Sequence, residues 1–365
     1  MSNIVISGYY GFGNAGDEAM LTAIVEAIRD IEPSAHITVI SGNPKETRVK
    51  YNIESVGTFA MLPIMKALIQ ADLVISGGGS LLQDATSIRN TYYYLSIISM
   101  AKMLGKKVML YAQGIGPLYR KSTRQAVAQV LQYVDYITVR DEISKKELLS
   151  LGITRVPIEI TADAVLAMHL ADTDIGENIV KPFETVRRSK RIGVAVRKWK
   201  NNTAYREELA SALSRLQIDE DAEIVFIPMS HPEDTVEAEA ISQLIDGETI
   251  ILRNSFSINE LLSLAGIVDI MIGIRLHALV FSSLMKKPVI GISYDPKIIS
   301  FLHMIGQDPI GTMDNLDGNT LYERAAELLN STASYESSFQ RIDEMESASK
   351  NNATIALSLL KSSSN

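Results

Sequence analysis

Short apolar runs alternate with longer stretches of helical periodicity through the first half of the chain. The apolar runs predict buried strands, and the stretches with apolar residues every three or four positions predict helices. Such alternation, with short polar breaks, indicates a parallel sheet covered by helices on both faces. In chain order the predicted elements are strand 3–7, helix 18–30, strand 36–41, helix 61–70, strand 73–76, helix 92–104, strand 107–112, helix 122–133, strand 136–140 and helix 144–151.

The pattern weakens in a polar and charged stretch at 172–190 and then restarts. Two such repeats predict an α/β protein with two Rossmann-like domains facing each other across a cleft, which is a GT-B-like arrangement. The domains are predicted at 1–170 and 191–335, with a linker at 171–190 and a C-terminal helix and disordered tail at 336–365. Ligands of such folds bind outside the carboxyl ends of the strands. The predicted elements are strand 191–197, helix 204–216, strand 223–228, helix 235–245, strand 249–252, helix 258–264, strand 270–272, strand 288–292 and helices near 320–329 and 338–360.

Composition narrows the class of protein. The 365 residues are 46% hydrophobic and 21% charged, as in an ordinary globular protein. The net charge of -8 and the lack of a basic run argue against nucleic-acid binding. Cysteine is absent, and the five histidines show no metal-ligand spacing, so we expect no metal site. No apolar stretch is long enough to span a membrane, and the N-terminus lacks the basic region of a signal peptide, so we expect a cytoplasmic location.

The loop after the first strand matches the spacing of a dinucleotide-binding motif at 11–16. The match is weak, because the second strand ends in Ser41 rather than in an acidic residue, and because Asp17 and Glu18 would repel a pyrophosphate. A loop bending close to a neutral ligand such as a sugar fits better, with Asn14 as hydrogen-bonding group and Asp17 as base. Asp17 could equally be a favourable first-turn charge of the helix.

Other strands of the first repeat also end in glycine or charge. Gly77, Gly78 and Gly79 precede Ser80, and glycines there let backbone N–H groups approach a ligand, although a tight turn is the alternative. Arg140 ends a further strand, and a salt bridge to the acids that follow it is the competing interpretation.

The most informative segment is 269–281, in which an apolar strand ends at Gly273 and leads through Arg275, Leu276 and His277 into a second apolar run. Arg275 and His277 are two residues apart, so they point the same way while the chain is extended. They combine a permanent cation with a group that titrates near neutral pH, beside a predicted helix N-terminus that favours anions. A surface arginine and a satisfied core histidine are the alternative.

Further cations follow neighbouring strands of the second repeat. Arg197 and Lys297 are predicted to share one face with Arg275 and His277. Such a cluster suits a small anion that carries both phosphate and carboxylate. Trp199, the single tryptophan, could stack on a sugar ring or serve only in packing.

Two apolar helix-like faces, at 62–69 and 92–94, remain outside these motifs. Core packing is the favoured interpretation of both, over contact with lipid.

Eight segments together carry a family resemblance. They are GYYGFGNAGDE at 8–18, GGGSLLQD at 77–84, YAQGIGPL at 111–118, TVRDEIS at 138–144, TADAVL at 161–166, GVAVRKW at 193–199, GIRLHALVF at 273–281 and ISYDPK at 292–297. In these segments the chain resembles the polysaccharide pyruvyl transferase family, most closely the bacterial cell-wall type that pyruvylates N-acetylmannosamine. Ala164 departs from the family pattern, which has proline after the aspartate.

The resemblance implies phosphoenolpyruvate as the donor, with no cofactor, and transfer of pyruvate as a 4,6-ketal onto N-acetylmannosamine of a lipid-linked precursor, in support of surface-layer anchoring. The acceptor would lie at the cytoplasmic membrane face, where the protein could make peripheral contact. A nucleotide-sugar glycosyltransferase of the same fold and a sugar-binding module without catalysis remain open as alternatives.

The roles expected of individual residues follow from the motifs and the resemblance together. The first domain would bind the acceptor and the second the donor. The catalytic residues would be His277, Arg275 and Asp17; the donor-binding residues Arg197, Arg275, Leu276, His277 and Lys297; and the acceptor-binding residues Asn14, Asp17, Gly78, Gly79, Ser80, Arg140 and Trp199.

Overall fold

The computed structural model describes residues 2–85, 87–185, 188–199 and 203–361. The chain divides into two compact units. The N-terminal unit comprises Met1–His169 and Met345–Asn365, and the C-terminal unit comprises Leu170–Glu344.

The N-terminal unit is built on a parallel sheet in the order β3-β2-β1-β4-β6-β7-β8, with β5 paired to β6 outside this path. Strand β4 is buried along its whole length and β6 from its second residue onward, as expected when helices cover both faces. The elements are β1 (Asn3–Ser7), α1 (Ala15–Ile31), β2 (His36–Ser41), α2 (Pro44–Tyr51), β3 (Glu54–Gly57), α3 (Met61–Gln70), β4 (Leu73–Ser76), β5 (Gly79–Leu82), α4 (Ile88–Met103), β6 (Lys107–Ile115), α5 (Lys121–Leu131), β7 (Tyr136–Val139), α6 (Glu142–Ser150) and β8 (Ile158–Ile160), followed by a 3-10 turn at Ala164–Ala167.

The C-terminal unit repeats this design with the sheet order β11-β10-β9-β12-β13-β14. Counted along the chain, this is the 3-2-1-4-5-6 order of a Rossmann fold, and the order reverses between β9 and β12. Its elements are α7 (Thr173–Val180), a 3-10 turn at Lys181–Phe183, β9 (Lys190–Ala195), α8 (Ala204–Asp219), β10 (Ala222–Phe226), α9 (Glu233–Ser242), β11 (Ile250–Ile251), α10 (Ile258–Gly266), β12 (Ile270–Gly273), α11 (Leu276–Leu284), β13 (Val289–Ser293), α12 (Pro296–Met304), β14 (Gly311–Thr312), α13 (Gly318–Asn330), a 3-10 turn at Ala333–Tyr335 and α14 (Glu336–Lys361).

The predicted class, with two Rossmann-like domains, is confirmed by these two sheets. The stretch 171–190 was predicted as a linker, but in the structure it contains helix α7. Gly176 of this helix packs on the backbone of Ser263 in α10. The polar side chains of α7 are exposed. The C-terminal helix is present as α14, and its portion from Met345 onward belongs to the N-terminal unit. The predicted disordered tail, 362–365, lies outside the described residues.

Within the described ranges, no helix is long and apolar enough to cross a membrane.

Candidate active site

The glycine-rich loop before α1 is hydrogen-bonded to the first turn of that helix. The side chain of Asn14 caps α1 by accepting hydrogen bonds from the N–H groups of Gly16 at 3.0 Å and Asp17 at 3.4 Å. The buried carboxylate of Glu18 accepts the Gly11 N–H at 2.6 Å. Gly11 has φ of +77°, which favours glycine, and an added Cβ would overlap Ser41. Two N–H groups of the first turn of α1 are therefore already bonded to the side chain of the preceding residue.

The glycines at the ends of β1 and β4 make room for a tyrosine. Tyr10 is fully buried, and a Cβ placed on Gly8 or Gly77 would overlap its ring or hydroxyl. Burial raises the pKa of Tyr10 well above its ordinary value, and the charge of Asp17 raises it further. A side chain at Gly78 would meet the sulfur of Met20 at 2.9 Å. Close packing against Tyr10 and Met20 is thus sufficient to explain these glycines.

Arg140 lies in a buried ion-pair network. Its Nη1 donates to Asp163 at 3.0 Å, and its Nε lies 3.7 Å from Asp141, so the salt-bridge interpretation is confirmed for the acid that follows it. Its Nη2 donates to the Ser80 hydroxyl at 3.2 Å, and its guanidinium lies against Gly114. Arg140 thus fixes the position of β5.

Six of the seven predicted acceptor residues are brought together in the N-terminal unit. A Cβ on Gly79 would lie 3.2 Å from the Asp17 carboxylate, and the next residue, Ser80, is exposed beside Arg140. Asn14 holds the first turn of α1, in which Asp17 lies. Gly79 belongs to β5 instead of a loop. Trp199 is the exception, because it belongs to the C-terminal unit.

In the C-terminal unit, β12 ends at Gly273 and α11 begins at Leu276, as the pattern predicted. Arg275 is the N-cap of α11, and its guanidinium forms a two-pronged ion pair with Asp234. The Nε of Arg275 lies 2.9 Å from Oδ2 of that carboxylate, which also accepts the N–H groups of Met229 at 3.1 Å and Ser230 at 3.0 Å. Burial raises the pKa of Asp234, while Arg275 lowers it. Arg275 is thus held rigidly at the carboxyl edge of the sheet.

Arg197 lies among aromatic rings. Its guanidinium carbon is 4.6 Å from the centre of the Tyr294 ring and 5.5 Å from that of Trp199, and its Nη1 donates to the Tyr294 hydroxyl. The centres of the Tyr294 and Trp199 rings are 4.6 Å apart. The Nε of Arg197 is buried and has no hydrogen-bond partner among the described residues. A buried N–H in that state costs about 1–3 kcal/mol, so an anion bound here would recover that cost.

His277 and Lys297 each lie in the first turn of a helix. His277 is in α11 with its Nε2 shielded from solvent, and its ring centre is 6.4 Å from that of Phe281. Lys297 is in α12, where its Nζ is 3.6 Å from Asp295 and 5.9 Å from the Tyr294 ring centre. Leu276, by contrast, is buried in the core.

The structure adds two residues that the sequence pattern did not identify as functional. Asp234 balances part of the positive charge that Arg275 contributes, and Tyr294 contacts both Arg197 and Lys297. The carboxyl edge of this sheet is therefore less positive than the sequence alone predicts. Tyr294 could have been noticed, since it stands in the ISYDPK segment after β13. Nothing in the sequence connects Asp234 to Arg275.

Solved structures with the same fold confirm a GT-B-like architecture. S. aureus MnaA, in a co-structure with UDP, superposes with a TM-score of 0.67 at 16% identity, covering 98% of each chain. The UDP-GlcNAc 2-epimerase from Neisseria meningitidis bound to UDP-GlcNAc gives 0.66 at 12% identity, covering 98% of this chain and 100% of the other. A glycosyltransferase from Rickettsia africae gives 0.61 at 15% identity, covering 99% and 96%.

Fold and site together therefore define a two-unit protein of the GT-B-like class, with Arg197, Arg275 and Lys297 after strands of its C-terminal sheet. A family model described as Polysaccharide pyruvyl transferase matches residues 14–296, and the chain belongs to this family of transferases. The Amylovoran biosynthesis protein AmsJ of Erwinia amylovora is 21% identical over 361 residues, covering 83% of this chain and 86% of that protein. The chain is accordingly an enzyme of polysaccharide modification.

Proposed function

We propose that the chain transfers pyruvate from phosphoenolpyruvate, as a 4,6-ketal, onto N-acetylmannosamine of a lipid-linked cell-wall polysaccharide precursor, and thereby supports surface-layer protein anchoring. The observation that carries the proposal is the guanidinium of Arg197, whose buried Nε has no partner among the described residues. It lies after β9, next to β12, which leads to Arg275 and His277. Phosphoenolpyruvate carries about three negative charges, which such cations can neutralise.

The proposed reaction begins with protonation of C3 of phosphoenolpyruvate, which makes C2 an oxocarbenium-like centre. One sugar hydroxyl attacks C2, the C2–O bond to phosphate breaks, and the second hydroxyl closes the ketal. Of the two hydroxyl protons lost, one balances the proton gained by C3 and the other leaves on phosphate. His277 is proposed as the general acid, because histidine is the side chain that most often transfers protons in catalysis. Arg197 and Arg275 would bind the donor and stabilise the departing phosphate.

The N-terminal unit is proposed to hold the acceptor, with Asp17 as the group that deprotonates a hydroxyl. Asp17 is partly exposed in the first turn of α1, close to Gly79 and the exposed Ser80. Arg140 is assigned a different part, since its ion pairs with Asp163 and Asp141 leave it to position Ser80. Trp199 is proposed to support Arg197 on the donor side.

Phosphate release from phosphoenolpyruvate in the presence of an N-acetylmannosamine disaccharide tests the proposal. His277→Ala should lose most turnover and keep the wild-type melting temperature; wild-type turnover in this variant would refute the assignment. The melting temperature measured with each ligand distinguishes the proposed transferase from a nucleotide-sugar glycosyltransferase, because a ligand of the folded state raises it. A shift with UDP-sugars and none with phosphoenolpyruvate would favour the glycosyltransferase.

A further inference from the structure

One helix of the N-terminal unit exposes an apolar stripe. Ile64 and Leu68 on α3 are buried in the core, as expected for a helix that covers a sheet. Leu62 and Ile69, on another side of the same helix, are 84% and 57% exposed, and the preceding Phe59 is 86% exposed. The expectation that the face at 62–69 packs in the core is therefore only half correct. Single exposed apolar residues are common, but a stripe of them indicates an interaction surface.

The neighbouring helix α4 extends this stripe. The Tyr93 ring contacts Phe59 at 6.3 Å between centres, and its hydroxyl donates to the Thr58 carbonyl at 2.9 Å. At the other end of α3, the Lys106 ammonium donates to the Ile69 carbonyl at 2.7 Å. Both ends of α3 are thus tied to α4 or to the turn that follows it. The outer side of α4 exposes Tyr92 and, at 87%, Met103.

The charge of this region is opposite to that of the whole chain. Residues 55–134 contain eight lysines and arginines and two aspartates, in a chain whose net charge is -8. Of the two aspartates, Asp84 is buried, and the exposed Asp72 accepts a hydrogen bond from the backbone N–H of Asn3. Lys102 and Lys107 are paired with Asp135, whereas Lys66 and Arg89 are exposed beside the apolar stripe.

We infer that the α3–α4 face, defined by Phe59, Leu62, Lys66, Ile69, Arg89 and Met103, binds the surface of an anionic phospholipid bilayer. Apolar side chains flanked by lysine and arginine, in a region where basic residues outnumber acidic ones, are the features that place a helix in the headgroup region of such a membrane. A second copy of the chain is a poorer occupant, because a symmetric contact would set the same cations against each other. This binding needs neither the donor nor the acceptor of the proposed function.

Co-sedimentation with vesicles tests the inference. The full chain should bind phosphatidylglycerol vesicles, bind phosphatidylcholine vesicles much less, and release from the former as salt is raised. Leu62→Ser and Lys66→Glu should each weaken binding about tenfold. The first removes apolar area that would be buried in the bilayer, and the second reverses a charge that faces the lipid headgroups.

Matched controls are available elsewhere in the chain. Ile218, 77% exposed on α8, is changed to Ser, and the exposed Lys350 of α14 is changed to Glu. Both controls should bind as the wild type does. The inference is overturned if the wild-type chain does not bind phosphatidylglycerol, or if the controls lose as much binding as Leu62→Ser and Lys66→Glu. Turnover on a water-soluble disaccharide should be unchanged in Leu62→Ser, so failure of membrane binding is distinguishable from failure of the proposed reaction.

Discussion

The carboxyl edges of the two sheets have the same topology and very different surroundings. In the N-terminal unit, the Tyr10 side chain fills the space beside Gly77, and two carboxylates neutralise the charge of Arg140. In the C-terminal unit, Arg275 has one carboxylate partner and Arg197 has aromatic neighbours and an unsatisfied Nε among the described residues. A residue type at a strand end is therefore weak evidence of a site, and the hydrogen bonds left unmade around it are stronger evidence.

The largest expected effect comes from replacing the aspartate partner of an arginine by asparagine in each unit. Asp163→Asn and Asp234→Asn each break a buried ion pair with an arginine, so each should lower the free energy of unfolding by roughly 2–4 kcal/mol. Urea unfolding measures this loss. Only Asp234→Asn should also weaken phosphoenolpyruvate binding, by about tenfold in calorimetry, because only it removes the carboxylate that orients an arginine assigned to the donor.

Asp163→Asn serves as the control for nonspecific loosening of the chain. Equal losses of donor affinity in the two variants would remove the distinction between a structural and a donor-binding arginine.

The secondary structure followed from the sequence because burial imposes a regular period. Strand 73–76 and helix 61–70 were predicted with the bounds that the structure has. Helix α2 was missed because it is polar nearly all round, with only Thr47 and Tyr51 buried, although Asn43 and Pro44 mark its start.

The candidate site was predicted less completely, because its geometry depends on contacts between distant residues. Arg275 and His277 could be identified from the strand–glycine–helix pattern and the family resemblance. Asp234 could not, since it lies 41 residues from Arg275 and stands in the first turn of α9, where an acid is ordinarily only a favourable charge. The packing of Tyr10 under Gly77 is equally non-local, so a glycine needed for packing looked like a glycine needed for a ligand.

A smaller effect tests the packing explanation of the N-terminal glycines. Gly77→Ala places a methyl group on the Tyr10 hydroxyl and should lower the free energy of unfolding by about 1–3 kcal/mol. Tyr10→Phe removes that hydroxyl, which has no hydrogen-bond partner among the described residues. The double variant should recover part of the loss in urea unfolding. No recovery would mean that Gly77 is required for another reason, such as close approach of a ligand.

The smallest effect concerns the aromatic support of Arg197. Tyr294→Phe keeps the ring beneath the guanidinium and removes only the hydroxyl that accepts its Nη1 hydrogen bond. A hydrogen bond to a charged group contributes about 1.5 kcal/mol, so the KM for phosphoenolpyruvate should rise about tenfold with little change in kcat. Tyr10→Phe is the matched substitution in the N-terminal unit and should leave that KM unchanged. If Tyr294→Phe instead lowers kcat at constant KM, Tyr294 acts on the reaction itself, and the C-terminal edge holds one more catalytic residue than the present assignment gives it.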